Sequence, residues 1–464
     1  MIDMLTESEV YRLGEAARKV FETTGASILR RSHVSVKTLA CLTVLTAVLL
    51  AGQLAAASPS WLKTAHEELP MHVTVGTAQG DFVGSTEAVI QQAIDAVAAY
   101  GGGTVELGPG TYMVYDSVRV ASNVRLVGSG RDTILRKCDG FSSPVSVDAD
   151  YGQRRLTVED PSGFRVGMGV MVKDTGSDDW TDSLAKITVI QGNVVYLDRR
   201  LIGDFTTEKR CIVSCTFSPV LLHGVQNATV ESLTVDGNRQ HNREINGCIG
   251  GGIFLRESAA CHVVNCIVRD FAGDGIDAEI NQDTVIDGCE ATGMTGFGIH
   301  LGSGSARPVV RNCRSIGNDG VGLFLCWRVQ DGVFERNEIR GNRGEGISIG
   351  HKDTDNVFLE NVISDNGSHG IYLRGEKPSN AGSRNTFRRN TIEDNTGCAA
   401  YIEPSTSDLL FEENVMRDTR SGAARTQRAG IWAEPGAERI SARNNRIANH
   451  IEADLHGAID VSDR

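Results

Sequence analysis

The chain has 464 residues, of which 23% are charged and only 6% are aromatic, and it carries 52 glycines. This composition excludes a disordered tail or a bundle of membrane helices. A net charge of −13 argues against a nucleic-acid-binding protein, because phosphate recognition needs a basic face. The charge says less about an acidic polysaccharide, since one basic groove can lie on an acidic body.

Residues 1–57 are predicted to be a polar lead followed by a signal peptide or a membrane anchor. An apolar run, LACLTVLTAVLLAG, extends from Leu39 to Gly52, and three alanines precede Ser58 in the small-residue pattern of a signal-peptidase site. Read to Ala57, the apolar stretch reaches about 19 residues, near the ~20 that span a bilayer, so an uncleaved anchor is the alternative. We favour cleavage. Residues after about Ser58 are expected to be secreted, periplasmic or at the cell surface, and to contact a membrane only if the segment is uncleaved.

Residues 58–139 are predicted to contain a linker, a capping helix and the first coils of a solenoid. The segment TEAVIQQAIDAVAAYGGG, from Thr86, is amphipathic, with Ser85 as the expected N-cap and Gly101 to Gly103 ending the helix. The following GTVELGPGTY and SNVRLVGSG are strand-like. Residues 140–210, which include LTVEDPSGFRVGMGVMV, are predicted to be a β-rich insertion, and their sequence suggests no function.

Residues 211–464 repeat with a period of 23 or 24 residues, which is the strongest signal in the chain. Gly-Ile or Gly-Leu steps recur at Gly252, Gly275, Gly298, Gly322, Gly346 and Gly370. Alternation within each strand places Ile276, Ile299 and Leu323 on an inner face with their equivalents in other coils. A single coil could not bury that face alone. The pattern predicts an all-β fold, a right-handed parallel β-helix with an N-terminal capping helix.

Seven residues at one position of the repeat are predicted to stack as a ladder, called here the Cys/Asn ladder: Cys266, Cys289, Cys313, Asn337, Asn361, Asn390 and Asn414. Neighbouring coils lie about 4.8 Å apart, but side chains stacked in parallel rarely adopt disulfide torsions. No pair of cysteines or group of His and Cys has zinc spacing. We therefore interpret the cysteines as reduced core residues.

The capping segment, VESLTVDGNR at Val230 and the iterated Asn/Gly coils together resemble the pectin lyase-like β-helix superfamily. That superfamily includes polygalacturonase-type hydrolases, pectate and alginate lyases, uronan epimerases and phage tailspikes. The resemblance covers roughly Val73 to the C-terminus, and it implies fold better than chemistry. It further implies that catalysis takes place on the sheet formed by the Gly-Ile strands.

The outward positions of that sheet supply four candidate catalytic residues. Asp277 and Glu279 are two apart on one strand, His300 lies one coil further on, and Asp274 immediately precedes the same strand. Carboxyl groups roughly 5–9 Å apart can serve as acid and base, or as nucleophile, in glycoside hydrolysis. The alternative is a purely structural role, in which Arg256 pairs with Glu279 across neighbouring coils and Asp274 caps a bend.

The same outward face supplies the candidate substrate-binding residues. Aromatic rings there could pack against sugar rings, or could simply shield the sheet, and cations on the adjoining loops could neutralise a uronate carboxylate. The candidates are Phe254, Phe324, Arg328, His351, Lys352, Tyr372, Arg374, Lys377, Tyr401 and Trp432.

Motifs of the superfamily are only partly present. Polygalacturonase-type hydrolases have an Asp-Asp pair, then Gly-His-Gly and Arg-x-Lys, whereas this chain has Asp277-x-Glu279 and Gly298-Ile299-His300 with no Arg-x-Lys following in place. Uronan epimerases have Gly-(Ile/Phe)-Asp-Pro-His, where this chain has Ala278 and Glu279 in the last two positions.

Three function classes therefore stay open. The first is an exported hydrolase or lyase that depolymerises a uronate-containing glycan, the second is a C5-epimerase of such a glycan, and the third is a non-catalytic carbohydrate-binding solenoid. The expected partner is a polysaccharide and the expected state is a monomer. No cofactor is required by the sequence. Ca²⁺ is left open because three carboxylates cluster at Asp274, Asp277 and Glu279, although no calcium-loop motif is present.

Overall fold

The structure, a computed structural model, describes residues 71–462. The predicted signal peptide or anchor and the linker after it lie outside the described residues. Within the described range, no helix is both long and apolar enough to cross a membrane.

Three long parallel sheets wind around one core, and each regular coil contributes one strand to each sheet. Sheet 1 contains the Gly-Ile strands. Its strands are Val118–Arg119, Val220–His223, Gly251–Arg256, Asp274–Glu279, Ile299–Gly302, Leu323–Cys326, Ile347–Ile349, Ile371–Leu373, Ala400–Ile402, Ala429–Ala433 and Ala453–His456.

Sheet 2 follows sheet 1 in each coil, across a loop of variable length. Its strands are Met71–Gly76, Phe82–Val83, Gly103–Leu107, Val124–Val127, Thr229–Glu231, His262–Val264, Val285–Asp287, Val309–Arg311, Val333–Glu335, Val357–Leu359, Thr386–Arg388, Ser407–Glu412, Glu438–Arg443 and Ile459–Ser462.

Sheet 3 follows sheet 2 across the tight turn that holds the Cys/Asn ladder. Its strands are Gly110–Val114, Thr133–Lys137, Thr234–Asp236, Ile267–Arg269, Glu290–Thr292, Arg314–Ile316, Glu338–Arg340, Val362–Ser364, Thr391–Glu393, Val415–Arg417 and Arg446–Ala448. Single 3₁₀ turns are Gly130–Asp132, Asp179–Thr181, Arg239–His241, Pro378–Asn380 and Gly422–Ala424.

The tight turn has a local backbone cause. The residue before each ladder position adopts a left-handed conformation, as Asn265 (φ 52°), Asn312 (φ 55°) and Glu360 (φ 56°) show. One residue with positive φ redirects the chain sharply, and it lets sheet 2 and sheet 3 meet at a corner. The ladder side chain then points into the corner and satisfies the backbone groups there.

The ladder itself forms as predicted and extends one coil further. The Asn337 side-chain amide donates to Asn361 Oδ1 at 3.0 Å, Asn361 donates to Asn390 at 2.9 Å, and Asn414 donates to Asn445 at 2.9 Å. In the cysteine coils, the thiols donate to carbonyl oxygens, for example from Cys313 to Arg311 O at 3.1 Å. All ten cysteines of the described range are free thiols.

The core is filled by stacks along the solenoid axis. The inner Ile and Leu residues of sheet 1 are buried, and behind them Phe334, Phe358, Phe387 and Phe411 stack with ring centroids 4.7–4.9 Å apart. This spacing equals the distance between neighbouring strands, so the period of the sheet sets that of the stack.

The capping helix, α1, runs from Glu87 to Ala99, with Val89, Ile90, Ala93, Ile94 and Val97 buried on its core-facing side. Its N-cap is Thr86 and not Ser85, and the Thr86 side chain makes no capping hydrogen bond. The Ser85 carbonyl instead accepts from the backbone of Met113, which ties Ser85 to the neighbouring strand.

The segment predicted as a β-rich insertion forms a six-stranded antiparallel sheet, called here the insertion sheet. Its strands are Ser142–Pro144, Arg155–Thr157, Gly169–Lys173, Ser183–Gln191, Val194–Leu197 and Ile212–Ser214. It leaves the solenoid after the strand Thr133–Lys137, and the chain returns at Val220. Sheet 1 therefore pairs Val118–Arg119 directly with Val220–His223, across the whole insertion.

Candidate functional site

The four predicted catalytic residues lie together on the outer face of sheet 1. Strand register pairs Asp277 with Phe254 on one side and with His300 on the other, and pairs Glu279 with Arg256 and Gly302. Gly302 matters for Glu279, because a Cβ at that position would lie 2.1 Å from Glu279 Oε1. The missing side chain leaves room for the carboxyl group.

His300 is held between three carboxyl groups. Its Nδ1 donates to Asp274 Oδ2 at 2.8 Å, and Asp277 Oδ2 lies 3.3 Å from the same nitrogen. On the other side of the ring, Nε2 lies 3.6 Å from Glu279 Oε1. Asp274 is itself fixed, because its second oxygen accepts from the Phe297 backbone at 2.6 Å. The cluster therefore has an orienting carboxylate, an imidazole and two further acids.

Several polar atoms of this cluster are buried without a hydrogen-bond partner among the described residues. They are both carboxyl oxygens of Asp277, Glu279 Oε1 and His300 Nε2. Buried polar groups are normally paired, so four such atoms converging at one place mark a site prepared for a further group. Water, substrate or a cation could supply the contacts.

The cluster is covered, which the sequence did not predict. Asp274, Asp277, Glu279 and His300 point outward from the core, yet each is at most 4% exposed. The segment 244–250, called here the cover segment, lies over them. A Cβ on its Gly247 would come 1.9 Å from Asp274 Oδ2 and 2.6 Å from His300 Nδ1. Only a glycine allows so close an approach.

Burial and mutual charge set the protonation of the cluster. Burial raises the pKa of Asp277 well above its usual range, and it raises the pKa of Glu279 to about 7 against the lowering effect of His300. Burial alone would lower the pKa of His300, but the charge of Asp277 and the close contacts with Asp274 and Asp277 raise that pKa well above 6.5. Both Asp277 and His300 are thus shifted toward their protonated forms, beside a glutamate whose pKa is about 7.

Two cysteines border the cluster and were not predicted as site residues. Cys248 stands on the cover segment and Cys326 on sheet 1, two coils from Asp277. A hydrogen bond with Cys248, together with contact to His300, lowers the pKa of Cys326 to about 5. The outward position of Cys326 in the repeat could have identified it as a site residue. Cys248 lies outside the repeat, so no sequence pattern identified it.

A groove runs beside the cluster, between sheet 1 and the insertion sheet. Phe254, one of the predicted substrate-binding residues, is buried in its floor at 3% exposure. The other lining residues include Arg119, Trp180, Asp182, Arg199, His223 and Arg256. Trp180 also packs edge-on against Trp327 at 5.7 Å, so the insertion reaches over the outer face of sheet 1.

The predicted aromatic row follows sheet 1 beyond the cluster, and its rings are half-buried. Phe324 stacks on Phe297 at 4.2 Å and contacts His300 edge-on at 5.1 Å. Further along, the Tyr372 and Tyr401 hydroxyls donate to Glu403 and Glu434, and Trp432 stacks on His456 at 3.7 Å. Each ring keeps part of its surface exposed while a neighbour fixes its orientation.

The predicted cations are not equivalent. Arg374 turns back across two coils, donating to Ser348 Oγ and to Leu325 O at 2.7 Å each and lying 4.5 Å over the Phe324 ring. Arg374 directly follows the strand Ile371–Leu373, and these contacts fold its side chain back over sheet 1. His351 pairs with Glu376 at 3.3 Å.

The remaining cations, Arg328, Lys352 and Lys377, are exposed or half-buried and make no ion pair with any residue of the range 71–462. They are the cations of this row that stay available to a substrate carboxylate.

The purely structural alternative for Arg256, Glu279 and Asp274 holds only in part. Arg256 does not bond to Glu279, because its guanidinium donates to Glu257 at 3.2 Å. Asp274 does fix a bend through the Phe297 amide, but its other oxygen binds His300. Asp274 therefore has both a structural contact and a contact within the cluster.

Asp274, Asp277 and His300 also offer ligand atoms within 4.8 Å of one another. The donor set is two carboxylates and one imidazole nitrogen. Ca²⁺ takes six to eight oxygen ligands, so these three residues fit calcium poorly.

Comparison with known proteins agrees with this architecture. Residues 218–381 match the family model described as "Right handed beta helix region". The A-module of the mannuronan C-5 epimerase AlgE4 from Azotobacter vinelandii superposes with a TM-score of 0.54 at 17% identity, covering 84% of this chain and 100% of that one. The Dettilon tailspike protein superposes with a TM-score of 0.53 at 13% identity, covering 84% of this chain and 68% of that one. The chain has a right-handed parallel β-helix fold.

Among curated relatives, mannuronan C5-epimerases AlgE1 and AlgE2 of A. vinelandii are 37% identical over 112 residues, or 22% of this chain. The match spans only 7% and 10% of the length of those relatives. The right-handed β-helix predicted from the repeat is confirmed by the family model. The local sequence similarity of the curated relatives is to epimerases.

Proposed function

We propose that this β-helix is an exported uronan-processing enzyme that removes the C5 proton of a uronate residue, and that its reaction is C5-epimerisation. The observation that carries the proposal is the covered cluster in which a cationic imidazole and a glutamate of pKa about 7 face each other with unpaired polar atoms. The local similarity to mannuronan C5-epimerases supports the same reaction class.

Removal of the C5 proton places two requirements on the site. The C5 hydrogen is acidic only when the neighbouring carboxylate is neutralised, and a base near neutral pKa must then accept the proton. Epimerisation is completed when solvent water delivers a proton to C5 from the opposite face of the ring. In our proposal His300 neutralises the uronate carboxylate through Nε2, which has no hydrogen-bond partner within the described range. Glu279, whose Oε1 is likewise unpaired, accepts the proton.

The two remaining acids, Asp274 and Asp277, orient the His300 imidazole. Asp274 fixes the ring by accepting from Nδ1, and Asp277 adds a second carboxyl 3.3 Å from that nitrogen. Together they keep His300 protonated and aligned, which is the role of an orienting acid beside a catalytic histidine. Compared with the Gly-(Ile/Phe)-Asp-Pro-His motif of uronan epimerases, the histidine here comes from the next coil and a glutamate occupies its place in the strand.

For a substrate to contact the cluster, either the cover segment must move aside or the substrate must reach past it. The most direct approach is beside Cys248, which lines a surface pocket together with Ser177, Asp178, Trp180 and Asn246. In our proposal a glycan enters there, and the half-buried rings of Phe324, Tyr372, Tyr401 and Trp432 support its further residues. Arg328, Lys352 and Lys377 then face its carboxylates.

The test offers the purified full chain polymannuronate, polygalacturonate and a glycosaminoglycan in D₂O. Deuterium at C5, reducing ends and unsaturated uronate are followed together. Deuterium incorporation at unchanged chain length supports an epimerase. Unsaturated ends would identify a lyase that shares the proton-removal step. New reducing ends alone would identify a hydrolase and overturn the proposal.

The controls are matched variants. Asp277→Asn and His300→Gln should abolish incorporation, while Asp283→Asn, an exposed acid paired with Arg307, should leave it intact. Deuterium incorporation unaffected by the first two variants would contradict the assignment. No reaction on any polymer, with binding that is lost in Tyr401→Ala but kept in His300→Gln, would indicate a non-catalytic carbohydrate-binding solenoid.

The donor set at Asp274, Asp277 and His300 fits Ca²⁺ poorly, so we propose that the reaction survives EDTA. Loss of incorporation on chelation, with recovery on adding CaCl₂, would contradict this expectation.

A further inference from the structure

The neck of the insertion contains a pair of cysteines that the proposed function does not use. Cys138 directly follows the strand Thr133–Lys137, where the chain leaves the solenoid, and Cys215 directly follows Ser214, where the insertion sheet ends. They are 77 residues apart in sequence, yet their sulfur atoms lie 3.5 Å apart. Both side chains are buried, at 3% and 1% exposure.

The backbone around this pair is fixed from both sides. The Cys138 amide donates to Val114 O at 3.0 Å and the Cys215 amide donates to Phe141 O at 2.8 Å. Asn242 bridges the neck, since its side-chain amide donates to Cys138 O at 3.0 Å. The two sulfurs are thus held together by contacts that do not depend on a bond between them. Closing the remaining distance needs only a small side-chain adjustment.

A hydrogen bond with Cys138, aided by a buried lysine, makes one of the two thiols reactive. Lys137 is 1% exposed, and its Nζ donates to Cys215 O at 2.9 Å and to Asn242 Oδ1. Both of these partners are neutral and burial lowers the pKa of Lys137, so a nearby thiolate would stabilise the charged form of the lysine. A hydrogen bond with Cys138, aided by the charge of Lys137, lowers the pKa of Cys215 to about 7. The thiolate is the form that attacks a disulfide oxidant.

We propose that Cys138 and Cys215 form a disulfide that closes the neck of the insertion when the chain meets an oxidising compartment. The Cys215 thiolate attacks one sulfur of a disulfide oxidant, forming a mixed disulfide and releasing the first thiol of the oxidant. Cys138 then loses its proton and attacks Cys215 Sγ, which displaces the second thiol. Two cysteine thiols are oxidised, and one disulfide of the oxidant is reduced to two thiols.

The arrangement separates this pair from the ladder cysteines and from Cys211. Ladder thiols such as Cys289 and Cys313 donate to backbone carbonyl oxygens and point along the stack. Cys211, also near the neck, is buried without a sulfur neighbour, and burial raises its pKa to about 12. Cys211 is therefore a matched control with the same burial and a different prediction.

The experiment treats the purified full chain with oxidised glutathione or with a phosphine reductant, alkylates free thiols in denaturant and maps the peptides. We expect a peptide pair joined through Cys138 and Cys215 in the oxidised sample and in Cys211→Ser, and both residues alkylated after reduction. Recovery of Cys138 and Cys215 as free alkylated thiols after oxidation, or linkage of either to another cysteine, would overturn the proposal.

A second measurement needs no linked peptide. The oxidised wild type should melt several degrees higher than the reduced protein, because a cross-link over a long loop restricts the unfolded chain. In Cys138→Ser, reduction should no longer lower the melting temperature through this bond. An equal drop in wild type and Cys138→Ser would show that the pair does not stabilise the neck.

Discussion

Replacing Glu279 by glutamine should stabilise the fold at alkaline pH while abolishing the reaction. Burial raises the pKa of Glu279 from 4.5 to about 7, so the folded protein resists ionisation of a group that the unfolded chain ionises freely. A group whose folded pKa is raised contributes stability below the unfolded pKa and loses it as pH rises through the folded pKa. The window is therefore pH 4.5 to about 7.

The size of the effect follows from these two values. The difference between about 7 and 4.5, at about 1.4 kcal/mol for each pH unit, amounts to about 3 to 4 kcal/mol. Glutamine is neutral in both states and escapes this loss. At pH 8, Glu279→Gln should therefore have a free energy of unfolding about 3 to 4 kcal/mol higher than wild type, and at pH 5 the gain should fall below about 1 kcal/mol.

Activity should move in the opposite direction. Loss of a general base costs about 10²- to 10⁴-fold in rate, and in wild type the rate should fall about tenfold for each pH unit below 7, as Glu279 becomes protonated. The assays are urea unfolding followed by tryptophan fluorescence at pH 5 and pH 8, and C5 deuterium incorporation between pH 5.5 and 8.

The matched control is Glu338→Gln. Glu338 is 36% exposed and pairs with Arg314, and neutralising such a surface acid should change stability by less than about 1 kcal/mol at either pH. A Glu279→Gln variant that is no more stable than wild type at pH 8, or that keeps a tenth of the wild-type rate, would contradict this prediction.

Four further predictions concern neighbouring features. Asp274→Asn should lower the pKa of His300, measurable by NMR titration of the imidazole, because the carboxylate that accepts from Nδ1 is removed. Gly302→Ala should reduce the C5 reaction at least tenfold without unfolding the coil, since the new Cβ would displace Glu279; an unchanged rate would show that the carboxyl group is free to move. Asn361→Ala should cost about 3 kcal/mol in urea unfolding, because it leaves buried partners of the ladder unpaired, while Asn361→Cys should cost less than half of that. Trp432→Ala should weaken polymer binding in calorimetry with little change in the rate at saturation, whereas an equal loss in both would place Trp432 closer to the reacting residue.

The architecture could be predicted because it is repeated. A period of 23 or 24 residues fixes which Ile stacks on which, and alternation along each strand separates inner from outer positions. The same register placed Asp277 beside His300 and Glu279 two residues from Asp277, as the structure has them. The Cys/Asn ladder followed from the same spacing, since identical positions in successive coils must meet.

The features that escaped prediction lie outside the repeat or depend on long side chains. The cover segment occurs once, between Asp236 and Gly251, so no periodicity indicates where it folds, and only the approach of Gly247 reveals that it lies over the cluster. Arg374 was expected among the cations that face a substrate carboxylate, but its several rotatable bonds let its side chain turn back to Leu325 O. The Thr86 cap differs from the predicted Ser85 because Ser85 O is engaged by Met113.

Where the ladder changes from cysteine to asparagine, the hydrogen bonds that join neighbouring coils at this corner change as well. A thiol is a weak donor, and each ladder cysteine donates to a carbonyl oxygen of the preceding coil, as Cys289 does to Val263 O and Cys313 does to Ile286 O. Asn337 instead donates from both its backbone and its side chain to the Asn361 oxygen of the next coil. Coils from Asn337 onward are therefore joined at this corner by stronger hydrogen bonds than those of Cys266, Cys289 and Cys313. Asp277, Glu279 and His300 lie in the cysteine half, so amide hydrogens there should exchange faster than those under Tyr372 and Tyr401. The aromatic row would then lie on the more protected half of the solenoid, and the proton-transfer groups on the less protected half.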